Sequence, residues 1–418
     1  MSLQNTPQSN RLTIGIFGKT NSGKSTLLNA LTGQNFALVS DIAGTTTDPV
    51  YKAMELHEIG PVLFIDTAGF GDTTELGEKR QEKTMEALKK TDIALVVVKS
   101  KIEIDSETEN FIANLKSSKK PFIIVENEFK KTNDTESEQK LKEKVPQIIE
   151  EIKQKIPSDF DSQSLTGNLC SEGDIVVLVM PQDIQAPKGR LILPQVQMIR
   201  ELLDKGCIPV CCTTDKFAQA LEKLSEKPSL IITDSQVFGF VYEKKCEYEE
   251  NESIKPIPLT SFSVLMAANK GDISKFIEGA ATIDTLSPHS KVLIAEACTH
   301  APLEEDIGRV KIPRLLHNLV EKKYGSDNLQ IDFVRGSDFP QNLSEYDLII
   351  HCGACMFNRA YVLSRQEKAA LTTKVGKTNP QKNAPQKTNT QSGVPMTNYG
   401  IAIAKLTGIL DKVAIPQK

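Results

Sequence analysis

The stretch Gly18-Lys19-Thr20-Asn21-Ser22-Gly23-Lys24-Ser25 has the spacing GxxxxGK[ST] of a phosphate-binding loop. The apolar run Leu12–Phe17 precedes it, and a helical pattern continues from Lys24 to Leu31. Glycines allow the backbone to wrap around phosphates, while N–H groups and the helix N-terminus supply positive potential. Strand, loop and helix in this order predict a nucleoside triphosphate site at the start of an α/β domain.

Two further segments belong to this predicted site. Asp66-Thr67-Ala68-Gly69 follows the apolar run Val62–Ile65, so that the Asp66 carboxylate can hold Mg²⁺ through water and the Gly69 N–H can meet the γ-phosphate. Between the two lies Gly44-Thr45-Thr46-Thr47-Asp48, a switch-like loop with a spare hydroxyl for Mg²⁺. We expect Lys24 at the β- and γ-phosphates and Mg²⁺ on Ser25, Thr46 and Asp66.

The spacing and the GTTxD loop resemble the GTPases related to Era and to the tRNA-modifying enzyme MnmE. That resemblance implies that the nucleotide is GTP, that Asn21 helps to bind K⁺ and that K⁺ stimulates hydrolysis. The expected catalytic residues are Lys24, Asn21, Thr46, Asp66 and Gly69. The expected GTP-binding residues are Gly18, Asn21, Ser22, Gly23, Lys24, Ser25, Thr26, Thr45, Thr46, Asp66, Gly69 and Asn127.

The element that specifies guanine departs from the Asn-Lys-x-Asp pattern of these GTPases. After the predicted strand Pro121–Val125 the chain reads Glu126-Asn127-Glu128-Phe129-Lys130. Asn127 fits, but Lys130 stands in place of the aspartate and cannot accept the N–H groups of guanine. Asp134 substitutes only if the loop is rearranged, and Ser164 is a poor match to a base-contacting loop. GTP hydrolysis is therefore expected to be weak.

A second group of residues has the pattern of a soft-metal site. Cys298-x-His300 follows the predicted strand Lys291–Ala295, and His351-Cys352-x-x-Cys355 follows the predicted strand at Tyr346. In a parallel sheet both segments lie at the same edge, where ligands usually bind. Three cysteines and one further ligand suit either a [4Fe-4S] cluster or zinc, and the spacing leaves both open. His300 and His351 either bind the metal or orient the loop.

This pattern CxH…HCxxC, placed after a GTPase domain and a middle α/β unit, resembles the HydF family of [FeFe]-hydrogenase maturation GTPases. The resemblance extends over nearly the whole chain. It includes Gly44-Thr-Thr-Thr-Asp-Pro-Val-Tyr-Lys, Ala186-Pro-Lys-Gly-Arg-Leu-Ile-Leu-Pro-Gln-Val-Gln, Thr233-Asp-Ser-Gln, Glu304-Glu-Asp-Ile-Gly-Arg-Val-Lys-Ile-Pro-Arg and Thr397-Asn-Tyr-Gly-Ile-Ala-Ile-Ala.

The resemblance implies a homodimer, formed through the middle domain, that is the scaffold and carrier of the diiron precursor of the hydrogenase active site. Two radical-SAM maturases supply this transient cargo, and the [FeFe]-hydrogenase receives it. A [4Fe-4S] cluster is then carried by Cys298, Cys352 and Cys355. His300 or His351 is the possible fourth ligand, with Glu304 and Glu305 as oxygen-donor options.

The predicted fold is α/β with three domains, because apolar strand runs alternate with helical patterns. These are a P-loop GTPase domain over 1–165, a dimerisation domain over 174–262 and a Rossmann-like iron–sulfur domain over 263–418. Within them, 366–393 is predicted to be a disordered loop and Glu243–Lys255 a solvated insertion. Cys207, Cys211 and Cys212 lie in an apolar stretch and are predicted to be buried.

Composition excludes some partners. A net charge of −4 over 418 residues gives no basic surface for nucleic acid, and no apolar run approaches the ~20 residues of a membrane span. Met1–Asn10 lacks the apolar core of a secretory signal, so we expect a cytoplasmic protein or one in the matrix of an anaerobic hydrogen-producing organelle. Two alternatives stay open, a zinc-stabilised regulatory GTPase and an Fe–S electron carrier with a vestigial nucleotide domain.

Overall fold

The chain folds into two compact units, Met1–Ser162 and Gln163–Lys418, in a computed structural model. The described residues are 6–33, 49–56, 59–70, 75–100, 104–127, 135–157, 160, 164–181, 191–297, 307–373 and 393–417.

The first unit is a parallel sheet with one antiparallel edge strand and helices around it. Its strands and helices are β1 (Leu12–Phe17), α1 (Lys24–Thr32), β2 (Val50–Leu56), β3 (Gly60–Asp66), α2 (Glu75–Lys90), β4 (Ile93–Val98), α3 (Ser106–Ser117), β5 (Phe122–Glu126) and α4 (Thr135–Lys155). The strand order is β2-β3-β1-β4-β5, and only β2 runs antiparallel to its neighbour. The strands β1 and β4 are buried along their whole length, as expected for central parallel strands.

Strand β2 was absent from the sequence-based prediction. It is an edge strand whose residues alternate between exposed and half-buried, with Lys52 and Glu55 among them. A strand that contacts the core on one face only carries no continuous apolar run, so its composition resembles that of a loop.

The second unit contains two four-stranded parallel sheets. Its elements are β6 (Ile175–Val179), α5 (Leu193–Asp204), β7 (Ile208–Cys212), α6 (Phe217–Glu222), β8 (Leu230–Thr233), α7 (Phe238–Asn251), β9 (Leu259–Ser261), α8 (Phe262–Lys270), α9 (Ile273–Ala281), β10 (Lys291–Glu296), α10 (Ile312–Tyr324), β11 (Gln330–Arg335), β12 (Leu348–His351), α11 (Arg359–Leu371), β13 (Met396–Asn398) and α12 (Tyr399–Leu406). A π-helical turn, Ile307–Lys311, leads into α10.

The two sheets of this unit share one strand order. The middle sheet runs β7-β6-β8-β9 and the C-terminal sheet runs β11-β10-β12-β13. In each, the chain first adds a strand on one side and then continues on the other, which creates a switch point between the first and third strands. Parallel sheets in both units confirm the predicted α/β class.

Helix α8 belongs to the cores of both sheets in this unit. Phe262 and Leu265 pack in the core of the middle sheet, whereas Val264 and Ala267 pack in the core of the C-terminal sheet. Its N-cap is Ser261, which is also the last residue of β9 and accepts a hydrogen bond from the Val264 N–H. The helix therefore connects the end of one sheet to the beginning of the next.

The segment Glu243–Lys255, predicted to be a solvated insertion, is mostly helical in α7, and only part of it is exposed. Lys245 and Glu249 are buried and pair at 2.6 Å between Nζ and Oε1. Glu249 Oε1 also accepts a hydrogen bond from the Ile257 N–H. Charged residues four apart satisfy one another inside a helix, so this pair is buried although its charged neighbours are exposed.

Two smaller expectations also need correction. The predicted disordered loop begins too early, since Gln366 is buried within α11 and its Oε1 accepts from the Asp272 N–H at 2.8 Å; residues 374–392 lie outside the described residues. Cys207 is buried as expected, but Cys211 is exposed and Cys212 half-buried, because β7 is an edge strand.

Among the described residues, no helix is both long and apolar enough to cross a membrane.

Candidate nucleotide and metal sites

The phosphate-binding loop connects β1 to α1 and has the backbone that its glycines require. Gly18, Asn21 and Gly23 have φ values of 150°, 59° and 88°. A Cβ on Gly18 would lie 2.5 Å from the Val97 carbonyl oxygen, so the loop packs directly on β4. Gly23 caps α1 in the left-handed region, which favours glycine and turns the helix N-terminus toward the loop.

The segment after β3 approaches this loop backbone to backbone. A Cβ on Gly69 would lie 2.3 Å from the Thr20 nitrogen, and the Phe70 N–H donates to the Gly18 carbonyl at 3.3 Å. The two stretches that the sequence assigned to phosphate binding are therefore adjacent in the folded unit.

Lys24 closes the loop through its ammonium group. Its Nζ donates to the carbonyl oxygens of Gly18 at 3.1 Å and Lys19 at 2.8 Å. Burial lowers the pKa of Lys24 to about 8, and the charge of Asp66 opposes that shift. Phosphate oxygens at the loop would oppose it further, because they favour the charged ammonium.

Asp66 and Ser25 have the donor set that Mg²⁺ requires. Ser25 Oγ donates to Asp66 Oδ2 at 2.8 Å, while Asp66 Oδ1 is buried without a hydrogen-bond partner among the described residues. Burial raises the pKa of Asp66, and the Ser25 hydrogen bond and Lys24 oppose the shift. A buried carboxylate oxygen that lacks a partner, beside a hydroxyl, fits a hard divalent cation.

Other predicted nucleotide residues have different outcomes. Asn127 Nδ2 donates to the Ser22 carbonyl at 3.3 Å, which ties the base-binding end of β5 to the phosphate loop. Ser164 belongs to the second unit, where its Oγ donates to Glu201 Oε1 at 2.7 Å. Thr45 and Thr46 lie outside the described residues, as do Glu128, Lys130 and Asp134.

The predicted metal residues follow two strands that are neighbours in the C-terminal sheet. Strands β10 and β12 pair in parallel with Ala295 opposite His351, and the Cys352 N–H donates to the Ala295 carbonyl at 2.9 Å. This position is the switch point of the sheet, where α/β proteins bind their ligands. The Ala297 N–H donates to Cys352 Sγ at 3.0 Å, and Cys298 is the next residue in the sequence.

The loop Cys352–Cys355 presents two partly exposed thiols. Ala354 has a φ of 53°, which is uncommon for a residue with a Cβ, and its N–H donates to Cys352 Sγ at 3.4 Å. Cys298, His300, Glu304 and Glu305 lie outside the described residues. Within the ranges that are described, no group of three His, Cys, Asp or Glu side chains is assembled to hold a metal.

His351 is occupied by other contacts, which argues against its predicted role as a possible fourth ligand. Its Nδ1 lies 2.9 Å from the Cys352 carbonyl and its Nε2 lies 3.0 Å from Arg365 Nη1. The ring is fully buried, and burial together with the Arg365 charge lowers the pKa of His351 to about 3. The geometry therefore favours the second sequence-based option, in which His351 orients the loop.

Sequence reasoning missed Lys270 and Asn398. Lys270 Nζ donates to the carbonyls of Ala354 at 3.2 Å and Phe357 at 2.5 Å, and Asn398 Nδ2 donates to the Cys352 carbonyl at 3.2 Å. Burial lowers the pKa of Lys270 to about 8, and negative charge on the two cysteines opposes the shift. The available signals were a single charged residue in the otherwise uncharged helix α8 and the Thr397-Asn-Tyr-Gly motif.

Comparison with protein families matches three successive parts of the chain. The model "Hydrogen maturase F tetramerization domain" matches residues 274–381, and "Hydrogen maturase F dimerization domain" matches residues 165–271. The model "50S ribosome-binding GTPase" matches residues 13–128. The first unit therefore contains a segment that matches a GTPase domain, and the second contains segments that match the dimerization and tetramerization domains of hydrogen maturase F.

Two curated relatives match about a third of this chain or less. GTPase Der from Mycoplasmopsis pulmonis is 36% identical over 157 residues, covering 35% of this chain and 36% of the relative. The tRNA modification GTPase MnmE from Carboxydothermus hydrogenoformans is 42% identical over 114 residues, covering 27% of this chain and 24% of the relative. The chain thus spans only about a third or less of the length of these relatives.

Among solved structures, one match is Era from Aquifex aeolicus bound to GDP and AlF₄⁻. The match covers 57% of this chain and 97% of the Era chain. The sequence identity is 18% and the TM-score is 0.30, which is too low to establish a shared overall fold.

Proposed function

This chain belongs to the hydrogen maturase F (HydF) family, and on that premise we propose that it is a GTPase scaffold that holds a [4Fe-4S] cluster and carries the diiron precursor of the [FeFe]-hydrogenase active site. It receives that cargo from radical-SAM maturases and passes it to the hydrogenase. It works as a homo-oligomer, in the cytoplasm or in the matrix of a hydrogen-producing organelle.

The observation that carries the proposal is the position of the cysteines in the C-terminal sheet. Cys352 and Cys355 follow β12 at the switch point beside β10, and Cys298 is the residue after Ala297, whose N–H donates to Cys352 Sγ. Three thiolates from two adjacent strand ends would hold three irons of a cluster and leave the fourth iron open for an exchangeable ligand. The cluster supplies soft iron sites, while the chain supplies the thiolates, the N–H donors to sulfur and the site at the sheet edge.

In the nucleotide half, the chain's own groups suit GTP hydrolysis. Lys24 and the loop N–H groups would bind the phosphates, and Ser25 and Asp66 would hold Mg²⁺. Asn21, in the left-handed region at the loop tip, is the proposed K⁺ contact. We expect slow hydrolysis that accelerates in K⁺ relative to Na⁺, and equal rates in the two salts would remove the role assigned to Asn21.

Anaerobic reconstitution with iron and sulfide tests the proposal. We expect about four irons and four sulfides per chain, broad absorbance near the visible region and an EPR signal after reduction. Cys355→Ser should lose most of the iron, whereas Cys211→Ser, which changes an exposed cysteine on the edge strand β7, should retain it. Stoichiometric colourless zinc would instead support a zinc-stabilised regulatory GTPase. Iron–sulfur loading without GTP binding would instead support an Fe–S electron carrier with a vestigial nucleotide domain.

A further inference from the structure

Lys270 is a buried cation at the C-terminal end of α8, directly beneath the CxxC loop. Its side chain is 3% exposed, and its Nζ donates to the carbonyls of Ala354 at 3.2 Å, Cys355 at 3.5 Å and Phe357 at 2.5 Å. An ammonium group has three N–H donors, and three loop carbonyls accept from it. Because an unsatisfied buried charge is very unfavourable, the loop and the lysine side chain fix each other's positions.

The peptide groups of the loop are oriented between this cation and the sulfur atoms. The N–H groups of Ala297 and Ala354 donate to Cys352 Sγ. The carbonyls of Ala354, Cys355 and Phe357 accept hydrogen bonds from Lys270. N–H groups therefore point at sulfur, and the carbonyls of other peptide groups point at the ammonium. Such an arrangement stabilises negative charge on the sulfur side of the loop.

No carboxylate neutralises Lys270 within the described part of the chain. Its side chain forms no ion pair there, and its ammonium group contacts the backbone carbonyls of Ala354, Cys355 and Phe357 instead. The buried lysine of α7 differs in this respect, because Lys245 pairs with Glu249. The partners of the Lys270 ammonium group are therefore the carbonyls of the metal-binding loop.

We infer that Lys270 is a positioning residue, which holds the Cys352–Cys355 loop in its metal-ready shape and places one positive charge beneath the cluster. The second half of this role rests on the proposed iron–sulfur function, whereas the first half applies to the protein without metal. The ligand concerned is an anionic iron–sulfur cluster bound by cysteine thiolates.

Three variants of the full chain separate these roles. Lys270→Met removes the charge and the hydrogen bonds, and Lys270→Arg keeps a cation at the same position. Lys120→Met is the matched control, because Lys120 Nζ also donates to backbone carbonyls, those of Leu88 and Thr91, but in the first unit. Thermal unfolding of each metal-free variant shows which of them retain the fold.

Hydrogen exchange of the metal-free protein measures the positioning role. We expect the amides of residues 352–357 to exchange roughly tenfold faster or more in Lys270→Met, since the loop carbonyls lose their charged hydrogen-bond donor. The exchange rates of these amides should return toward the wild-type values in Lys270→Arg. They should equal the wild-type values in Lys120→Met. Unchanged loop exchange in a folded Lys270→Met variant would overturn the inference, whatever the outcome of reconstitution.

The reduction potential of the reconstituted cluster measures the role of the charge. Loss of a buried cation should shift the potential of Lys270→Met to more negative values, because reduction adds negative charge. Lys270→Arg should stay near the wild type, and a merely structural role would not produce this difference. If the wild type loads no cluster, the proposed function fails and the exchange result still decides the positioning role. If the cluster loads and the potentials of the three chains coincide, the charge role is refuted.

Discussion

His351 and Arg365 are joined by a hydrogen bond in which Arg365 Nη1 donates to His351 Nε2 at 3.0 Å. Since an arginine can only donate, the histidine proton lies on Nδ1, where it is donated to the Cys352 carbonyl at 2.9 Å. The guanidinium carbon of Arg365 lies 4.7–4.8 Å from the ring centroids of Phe339, Phe357 and Tyr361. An arginine held by aromatic rings thus fixes the tautomer of the histidine that orients the first cysteine of the loop.

His351→Ala should leave the coordination of a reconstituted cluster unchanged while weakening its retention. Neither ring nitrogen is free to bind iron, so any nitrogen coupling in the pulsed EPR spectrum should persist in the variant. Iron should be lost to a chelator faster than from the wild type, because the Cys352 carbonyl loses one of its two donors and keeps only Asn398 Nδ2. His300→Ala is the comparison, and disappearance of a nitrogen coupling in His351→Ala alone would make His351 a ligand.

Asp66→Asn should reduce GTP hydrolysis by at least about 100-fold, because it removes the charge at the proposed Mg²⁺ site and a metal ion contributes several kcal/mol to such reactions. The amide keeps the shape of the carboxylate, so the fold of the first unit should persist. Turnover measured against Mg²⁺ concentration should show a raised metal requirement. Asp204→Asn changes an exposed helical residue in the second unit and should have no effect. Normal turnover in Asp66→Asn would place the metal elsewhere.

The double substitution Glu128→Lys and Lys130→Asp restores the Asn-Lys-x-Asp pattern after Asn127 and should strengthen guanine recognition. An aspartate can accept two N–H groups of guanine, and hydrogen bonds to a charged group contribute about 1.5–3 kcal/mol. We expect the preference for GTP over ATP to increase by roughly one to two orders of magnitude. Competitive binding of the two nucleotides to the wild type and the variant measures it. An unaltered preference would show that this chain recognises guanine by another element.

Gly279→Ala should lower the free energy of unfolding of the second unit by about 1–3 kcal/mol, the usual cost of overpacking a core. A Cβ on Gly279 in α9 would lie 2.2 Å from the Met396 carbonyl oxygen in β13. Gly239→Ala in α7 is the matched control, since a Cβ there meets nothing within 4 Å and alanine favours helix. Denaturant unfolding compares the two, and equal midpoints would mean that α9 can move away from β13.

The sequence predicted the central strands because they are apolar along their whole length. Leu12–Phe17 was predicted with the bounds that β1 has in the structure, and the predicted run Val62–Ile65 lies within β3. The edge strand β2 and the short strand β9 were missed, because half-exposed or three-residue strands leave little periodicity.

The site was predictable only where its chemistry is local in sequence. The phosphate loop and the CxxC loop are contiguous motifs, so both were found from spacing. Lys270 and Asn398 are separated from Cys352 by 82 and 46 positions, and their contacts depend on how α8 and β13 pack. The hydrogen bond between Arg365 and His351 also depends on tertiary packing, and no spacing rule in the sequence indicates it.

The position of α8 in two cores has a consequence for assembly. This nine-residue helix lies within the segment that matches the dimerization family and packs in the core of the middle sheet, and its last residue, Lys270, anchors the cysteine loop. A rigid element shared in this way transmits small displacements in both directions. Quaternary state and cargo loading are therefore expected to be thermodynamically linked, so that chains carrying the cluster and chains lacking it differ in how strongly their subunits associate.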